Sequence, residues 1–193
     1  MQTPSKLLNQ VLAALLLLML SSVTLAELAP VRIEAYIDSL TDVRELGDQL
    51  KAEGKEAFLA GKIMPGAGER FDPHQRAVSV LKRDEPGYYA ELGKRVVPRG
   101  FTSAESWART GDQVVLAYGA AKVAAESPQM LALAAQSGPE QELLMQALPP
   151  KQREQFKQAL VIARALAQVP AADREAVTPY VGQLDQIFNQ YRQ

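Results

Sequence analysis

The sequence contains no cysteine and a single histidine, His74, among its 193 residues. The absence of cysteine excludes disulfide bonds, thiolate metal sites and acylation at a lipoprotein cysteine. One histidine is too few for the common zinc ligand sets, and the acidic loop pattern of calcium sites is missing. We therefore expect neither a metal ion nor a cofactor.

Extended segments and an excess of one charge are missing as well. β-branched residues form only short clusters, such as residues 78–80, outside any alternating run bounded by turn residues. The 21 basic and 22 acidic residues give a net charge of −1. The sequence has no long basic run of the kind that binds nucleic acid or anionic lipid headgroups. These absences favour an all-α protein that does not bind nucleic acid.

Residues 1–26 have the pattern of a secretory signal peptide. An early lysine precedes an uncharged apolar run at residues 11–20, and small residues end at Ala26. That run is shorter than the roughly 20 apolar residues that a membrane span needs. We expect cleavage after Ala26 and export of one helical domain, residues 27–193, to the bacterial periplasm or the medium. The mature chain then has no membrane span; an uncleaved anchor over residues 7–26 is the alternative.

Helix-start patterns recur along the rest of the chain. Asp72 precedes a proline at the first helical position, and Thr102 and Glu105 have the spacing of a capping box. His74, at the second position of that helix, is expected to lie on the surface. Together with the apolar periodicity, these patterns predict a compact bundle of about seven to nine short and medium helices. The predicted ranges are 31–40, 41–62, 73–83, 86–97, 103–126, 128–136, 140–148, 151–169 and 179–189.

Two of the predicted helices have glycines on a face that also holds large apolar residues. Gly47, Gly54 and Gly61 follow one another at intervals of seven residues, and Gly111 lies in the helix of Trp107. Each glycine inside a helix costs roughly 1 kcal/mol relative to alanine. Either these glycines receive bulky side chains from neighbouring helices, or Gly47 or Gly54 ends a helix.

A pocket for an apolar ligand or a partner's side chain is one interpretation of the tryptophan helix. Trp107 and Tyr118 flank the gap at Gly111, Asp112 supplies a polar group at its rim, and Gly54 lies on the facing helix. The other interpretation is structural: Trp107 anchors the core, and Asp112 forms an ion pair with the arginine three residues before it.

A second candidate surface lies in the segment before that helix. Tyr88 and Tyr89 point about 100° apart on a helix, so at least one is expected near the surface. Arg95 and Arg99 are close in sequence, and tyrosine and arginine are enriched at protein interfaces. The alternative is that the tyrosines are boundary residues whose hydroxyl groups contact water.

No nucleophile elbow and no converging set of titratable residues indicates catalysis. The sequence therefore predicts an exported, non-enzymatic helical protein that acts by protein–protein interaction with a partner in the cell envelope. One alternative is a carrier of a small apolar ligand in an inter-helix pocket near Trp107 and Gly111. The other is an enzyme of a type that the motifs do not reveal.

Overall fold

The computed structural model describes residues 28–63, 65–66, 69–129 and 146–190. In these residues the regular structure is helical and contains no strand, so the all-α prediction is confirmed. None of these helices is both long and apolar enough to cross a membrane. The helices are α1 (Pro30–Ala52), α2 (Glu56–Ile63), α3 (Pro73–Asp84), α4 (Pro86–Val96), α5 (Ala104–Glu126), α6 (Pro150–Ala167), α7 (Ala171–Val177) and α8 (Val181–Gln190), with short 3₁₀ helices at Val97–Arg99 and Thr178–Tyr180.

The first helix is longer than predicted and ends at a glycine. The predicted boundary near residue 40 is wrong, because α1 continues to Ala52. Gly54 follows with a φ of +71°. Its N–H donates to the Lys51 carbonyl, and the Lys55 N–H donates to the Leu50 carbonyl, both at 2.9 Å. This is the Schellman arrangement, in which a left-handed glycine satisfies the last carbonyls of a helix.

The glycine stripe predicted for residues 41–62 is therefore not a packing surface. Gly47 lies in α1, Gly54 lies after it and Gly61 lies in α2. A Cβ atom placed on any of the three would have no atom beyond its own helix and chain neighbours within 4 Å. Of the two interpretations of these glycines, the helix end is the one found, at Gly54.

The helix starts differ from the predicted caps in a way that matters for the site. Ser103 caps α5, with its Oγ accepting the Ser106 N–H at 3.2 Å. The predicted capping box of Thr102 and Glu105 is wrong. Asp72 precedes α3 as expected, but its carboxylate accepts from the Arg76 Nε at 2.6 Å and makes no cap hydrogen bond. The N-terminus of α3 is satisfied from elsewhere.

Helix α5 lies at the centre of the described structure. It contacts α1, α3, α4, α6, α7 and α8. Its buried residues extend from Ala104 to Ala120 and include Trp107 and Val114, which pack into one core with residues of the other helices. Helix α7 was not predicted as a separate element. The helices predicted at 128–136 and 140–148 lie almost entirely outside the described residues.

Candidate functional site

Two aromatic rings fill the space beside Gly111. A Cβ atom built there would lie 2.8 Å from Cε2 of Tyr36 and 2.9 Å from Cδ2 of His74. Both distances are shorter than real Cβ contacts, so only glycine lets α1, α3 and α5 approach this closely. The gap that the sequence placed beside Trp107 is thus occupied by the protein's own side chains. Bulky side chains do pack against this glycine, as predicted, and they come from α1 and α3.

Asp112 caps helix α3 from the neighbouring helix α5. Its Oδ1 accepts the backbone N–H of His74 at 2.8 Å, and its Oδ2 accepts the backbone N–H of Gln75 at 3.2 Å. It also accepts from His74 Nδ1 at 2.9 Å and from Gln75 Nε2 at 3.0 Å. These backbone groups are free donors of the first helical turn, where negative charge is favourable. The predicted ion pair with the arginine at position 109 is wrong, because both carboxylate oxygens face α3.

His74 continues this network into the core. Because the Asp112 carboxylate can only accept, His74 Nδ1 carries the proton and Nε2 accepts the Tyr36 hydroxyl at 2.9 Å. The Trp107 ring lies edge-on to the His74 ring, with centroids 5.3 Å apart. Its Nε1 donates to Ser39 Oγ at 2.8 Å. We call Tyr36, Ser39, His74, Trp107 and Asp112 the polar core network.

The polar core network is suited to holding helices together. The side chain of Asp112 is 5% exposed and that of His74 is 20% exposed, so the prediction of a surface histidine is wrong. The polar atoms of each side chain in the network form hydrogen bonds with groups on α1, α3 or α5. Neither of the two grooves described below is lined by these residues. The arrangement resembles a catalytic relay in composition, but its groups bind one another.

The remaining residues of the predicted pocket lie elsewhere. Gly54 ends α1, as described above. Tyr118, two turns beyond Gly111, donates its hydroxyl to Asp185 of α8 and packs edge-on against Phe188 at a centroid distance of 5.2 Å. Burial, together with the Asp185 carboxylate, raises the pKa of Tyr118 above its usual value. The structure thus keeps Trp107, Gly111 and Asp112 together and separates the other two.

The two tyrosines of the predicted partner surface bind within the chain. The Tyr89 hydroxyl donates to Glu105 at 2.8 Å. The Tyr88 ring lies under the Lys55 ammonium, 5.1 Å from ring centre to nitrogen. A hydrogen bond to Glu53 raises the pKa of Tyr88. Both rings are half-buried, so they connect α4 to its neighbours and offer little free area.

The two arginines of that surface attach α4 and the following 3₁₀ helix to α1. Arg95 donates to the Asp42 carbonyl at 2.7 Å and its side chain is 17% exposed. Arg99 binds the Asp42 carboxylate at 2.7 Å. The arginines are close to the tyrosines in sequence, as predicted, but Asp42, which both arginines bind, lies more than 50 residues earlier in the chain. The tyrosine and arginine groups that were expected to bind a partner therefore bind other residues of the same chain.

Two open grooves lie along α5, one at its C-terminal end and one beside its middle. One, which we call the alanine groove, has a volume of about 590 Å³ and lies between the end of α5, α7 and α8. The other, which we call the loop groove, has about 580 Å³ and lies between residues 69–71, α5, α6 and α7. Neither groove was predicted from the sequence, because the walls come from segments far apart in the chain. The alanines at the end of α5 mark the alanine groove in the sequence.

Among the described residues, no group of three carboxylates or histidines is placed to hold a metal ion. The two grooves offer methyl and aliphatic walls with charged rims. Such surfaces bind apolar side chains or ligands and orient them by charge. Comparison of the chain with protein-family models, with curated proteins and with solved structures finds no match.

Proposed function

We propose that the protein is an exported, non-enzymatic binding protein that holds a helical segment of an envelope protein in the alanine groove. The observation that carries the proposal is the groove itself. Its floor consists of methyl groups from Ala121, Ala124 and Ala125 of α5, and Ala171 extends it on α7. Such small side chains let the backbone of another helix approach closely. Its volume lies within the usual range for binding pockets.

The rim of the groove supports a protein partner over a small molecule. Lys122 and Asp185 form an ion pair at 2.7 Å on one side, with about a third of each side chain exposed. Glu126 and Glu175 add negative charge, while Arg174 adds positive charge. An apolar floor with a polar rim of both signs is the usual anatomy of a protein interface. An amphipathic helix would place its apolar residues on the floor and its charges at the rim.

The pattern of residues 1–26 supports export with cleavage after Ala26. Leu28 is 2% exposed, and its N–H donates to Asp173 of α7 at 2.9 Å. Cleavage after Ala26 would leave Leu28 and this hydrogen bond in the mature chain. An exported chain meets proteins of the cell envelope first, and we therefore propose a partner from that compartment.

Site-specific photo-crosslinking in cells tests the proposal. A photoreactive phenylalanine replaces Ala125, which is exposed on the groove, or Arg109, which is exposed on the same helix but lines neither groove. We expect one protein adduct of discrete mass from position 125 and none from position 109. The mass of the purified chain should also correspond to a start at Glu27.

The adduct alone does not complete the test. Once the partner is identified, its purified helical segment should bind the wild-type protein and bind at least tenfold more weakly to Ala121→Trp, which fills the groove. The corresponding control is Arg109→Gln, which should bind like the wild type. Equal adducts from both positions, or full affinity of Ala121→Trp, would contradict the proposal.

A further inference from the structure

We propose that Asp173 is the binding site for the α-ammonium group that cleavage after Ala26 creates at Glu27, so that processing adds an ion pair to the folded chain. This role of Asp173 rests on the export and cleavage that the proposed function includes. Asp173 lies in the first turn of α7 and is 9% exposed. Its Oδ1 accepts the Leu28 N–H at 2.9 Å, which holds the start of the described chain against α7.

Asp173 has few partners for a buried carboxylate. The other buried carboxylate, Asp112, accepts four hydrogen bonds from α3. From the described residues Asp173 accepts only the Leu28 N–H, and no cationic side chain among them forms an ion pair with it. Its neighbour Arg174 donates instead to the Val169 carbonyl at 2.7 Å. Because a charge removed from water is costly unless an opposite charge lies beside it, this carboxylate is suited to bind a cation.

Covalent geometry places the new ammonium group beside this carboxylate. In a chain that starts at Glu27, only three bonds separate the α-nitrogen from the Leu28 nitrogen. Standard bond lengths and angles keep two such nitrogens about 2.7–3.7 Å apart, whatever the conformation of the residue between them. The Leu28 nitrogen is itself 2.9 Å from Asp173 Oδ1. Two adjacent N–H donors can therefore meet the two oxygens of one carboxylate, which is the geometry of strong charge-assisted pairs.

The uncleaved chain cannot form this ion pair. Before cleavage, the same nitrogen belongs to the peptide bond between Ala26 and Glu27 and carries no charge. Hydrolysis of that bond leaves a carboxylate on Ala26 and an amine on Glu27, and the amine takes up a proton because its ordinary pKa lies above 7. A neutral amide N–H can donate to Asp173, but it does not balance the buried negative charge. Processing should therefore strengthen the attachment of the N-terminus to α7.

The helix that would hold the new N-terminus is also a wall of the alanine groove. Ala171, Arg174 and Glu175 line that groove from the same seven-residue helix that carries Asp173. An ion pair at Asp173 adds to the contacts that hold this wall in place. Since the pair forms only after cleavage, the wall is held most firmly in the processed chain.

Thermal denaturation of chains with defined N-termini tests the ion pair. One purified chain begins at Glu27, and a second begins at Leu25, which moves the ammonium group two residues upstream and leaves every later residue unchanged. The chain from Glu27 should melt about 5 °C above the chain from Leu25, the shift expected for a charge-assisted hydrogen bond in a protein of this size. Both chains are also made as Asp173→Asn, whose amide oxygen can still accept the Leu28 N–H but carries no charge. In that background the difference should disappear.

A matched control and a direct readout sharpen the test. Glu175→Gln removes an exposed carboxylate from the same helix and should keep the full difference between the two N-termini. The direct readout is the reaction of the α-amine with acetic anhydride, followed by mass spectrometry of the N-terminal peptide. Only the unprotonated amine reacts, so the Glu27 amine should react about tenfold more slowly than the Leu25 amine. Asp173→Asn should remove this protection; if it does not fold, the two wild-type chains still decide.

Equal melting temperatures or equal amine reactivities of the two wild-type chains would overturn the proposal, as would an unchanged difference in Asp173→Asn. A natural chain that begins at a residue other than Glu27 would overturn it as well. Neither measurement needs a partner protein. An ion pair without a crosslinked adduct at position 125 would therefore contradict the partner groove alone, whereas an adduct without the ion pair would overturn only the role of Asp173.

Discussion

Replacing Gly111 by alanine tests directly whether two rings fill the space beside α5. The added methyl group would lie 2.8 Å from Cε2 of Tyr36 and 2.9 Å from Cδ2 of His74. Carbon atoms prefer a separation of about 3.5–4.0 Å, so the rings would have to retreat by roughly 0.7 Å or more. Neither ring can do so freely. Tyr36 is 1% exposed, and His74 is held between the Tyr36 hydroxyl and Asp112.

The net effect follows from two opposing terms. Alanine gains about 1 kcal/mol over glycine inside a helix. Overpacking of a filled core costs about 1–3 kcal/mol, and we expect the upper end because the rings are held by hydrogen bonds. Gly111→Ala should therefore destabilise the protein by about 2 kcal/mol. Gly47→Ala is the matched control, since that glycine lies inside α1 with open space at its Cβ position. It should stabilise by about 1 kcal/mol.

Urea denaturation, followed by circular dichroism and by Trp107 fluorescence, measures both values. A third variant, Gly54→Ala, places an alanine at a φ of +71° and should cost about 1–2 kcal/mol although nothing lies near it. All three variants replace glycine by alanine, but the expected effect on stability comes from overpacking at Gly111, from helix propensity at Gly47 and from backbone strain at Gly54. A Gly111→Ala variant as stable as Gly47→Ala would refute the packing of Tyr36 and His74 against α5.

Two further predictions concern charged side chains. Asp112→Asn should destabilise the protein by about 3 kcal/mol in chemical denaturation, since an amide group cannot accept all the N–H donors that the carboxylate accepts. The control, Asp38→Asn, changes an exposed residue of α1 and should leave the stability unchanged. An Asp112→Asn variant as stable as the wild type would contradict the capping of α3 by Asp112. Hydrogen bonds, the strongest from Lys82 and the next from Tyr89, lower the pKa of Glu105 to about 2 from an ordinary value of 4.5. Because the folded pKa is the lower one, this stabilisation is present above about pH 4.5 and is lost as pH falls towards 2. The melting temperature of Glu105→Gln should therefore lie below that of the wild type at pH 7 and approach it near pH 2, and a constant difference would contradict the pair.

Local sequence patterns were sufficient to predict the helical class and most helices that the structure describes. A proline at the first helical position gave the starts of α3 and α4, because proline's fixed φ and missing N–H suit that position. The end of α1 was misplaced for a physical reason. Gly54 fits an apolar periodicity as well as it fits a left-handed helix end, and only the backbone geometry distinguishes the two.

The polar core network was beyond such patterns. His74 and Asp112 are 38 residues apart in sequence, and nothing local indicates that one helix caps another. The preceding Asp72 satisfies the rule for a helix cap, yet it binds Arg76 instead. Gly111 did mark the place, since a glycine inside a helix has a cost that a close contact can offset. The glycine thus predicts a close contact, but it does not reveal that Tyr36 and His74 make it.

The surroundings of α5 change along its length, and this change places the alanine groove. Around Trp107 and Gly111 the helix is fixed by rings and hydrogen bonds from α1 and α3. Towards Ala124 it presents methyl groups to the open space that it shares with α7 and α8. A binding surface needs walls that do not move, because ordering a mobile wall on binding costs affinity. The polar core network holds α5 in place, so its substitution should weaken binding in the alanine groove without any contact to the bound segment.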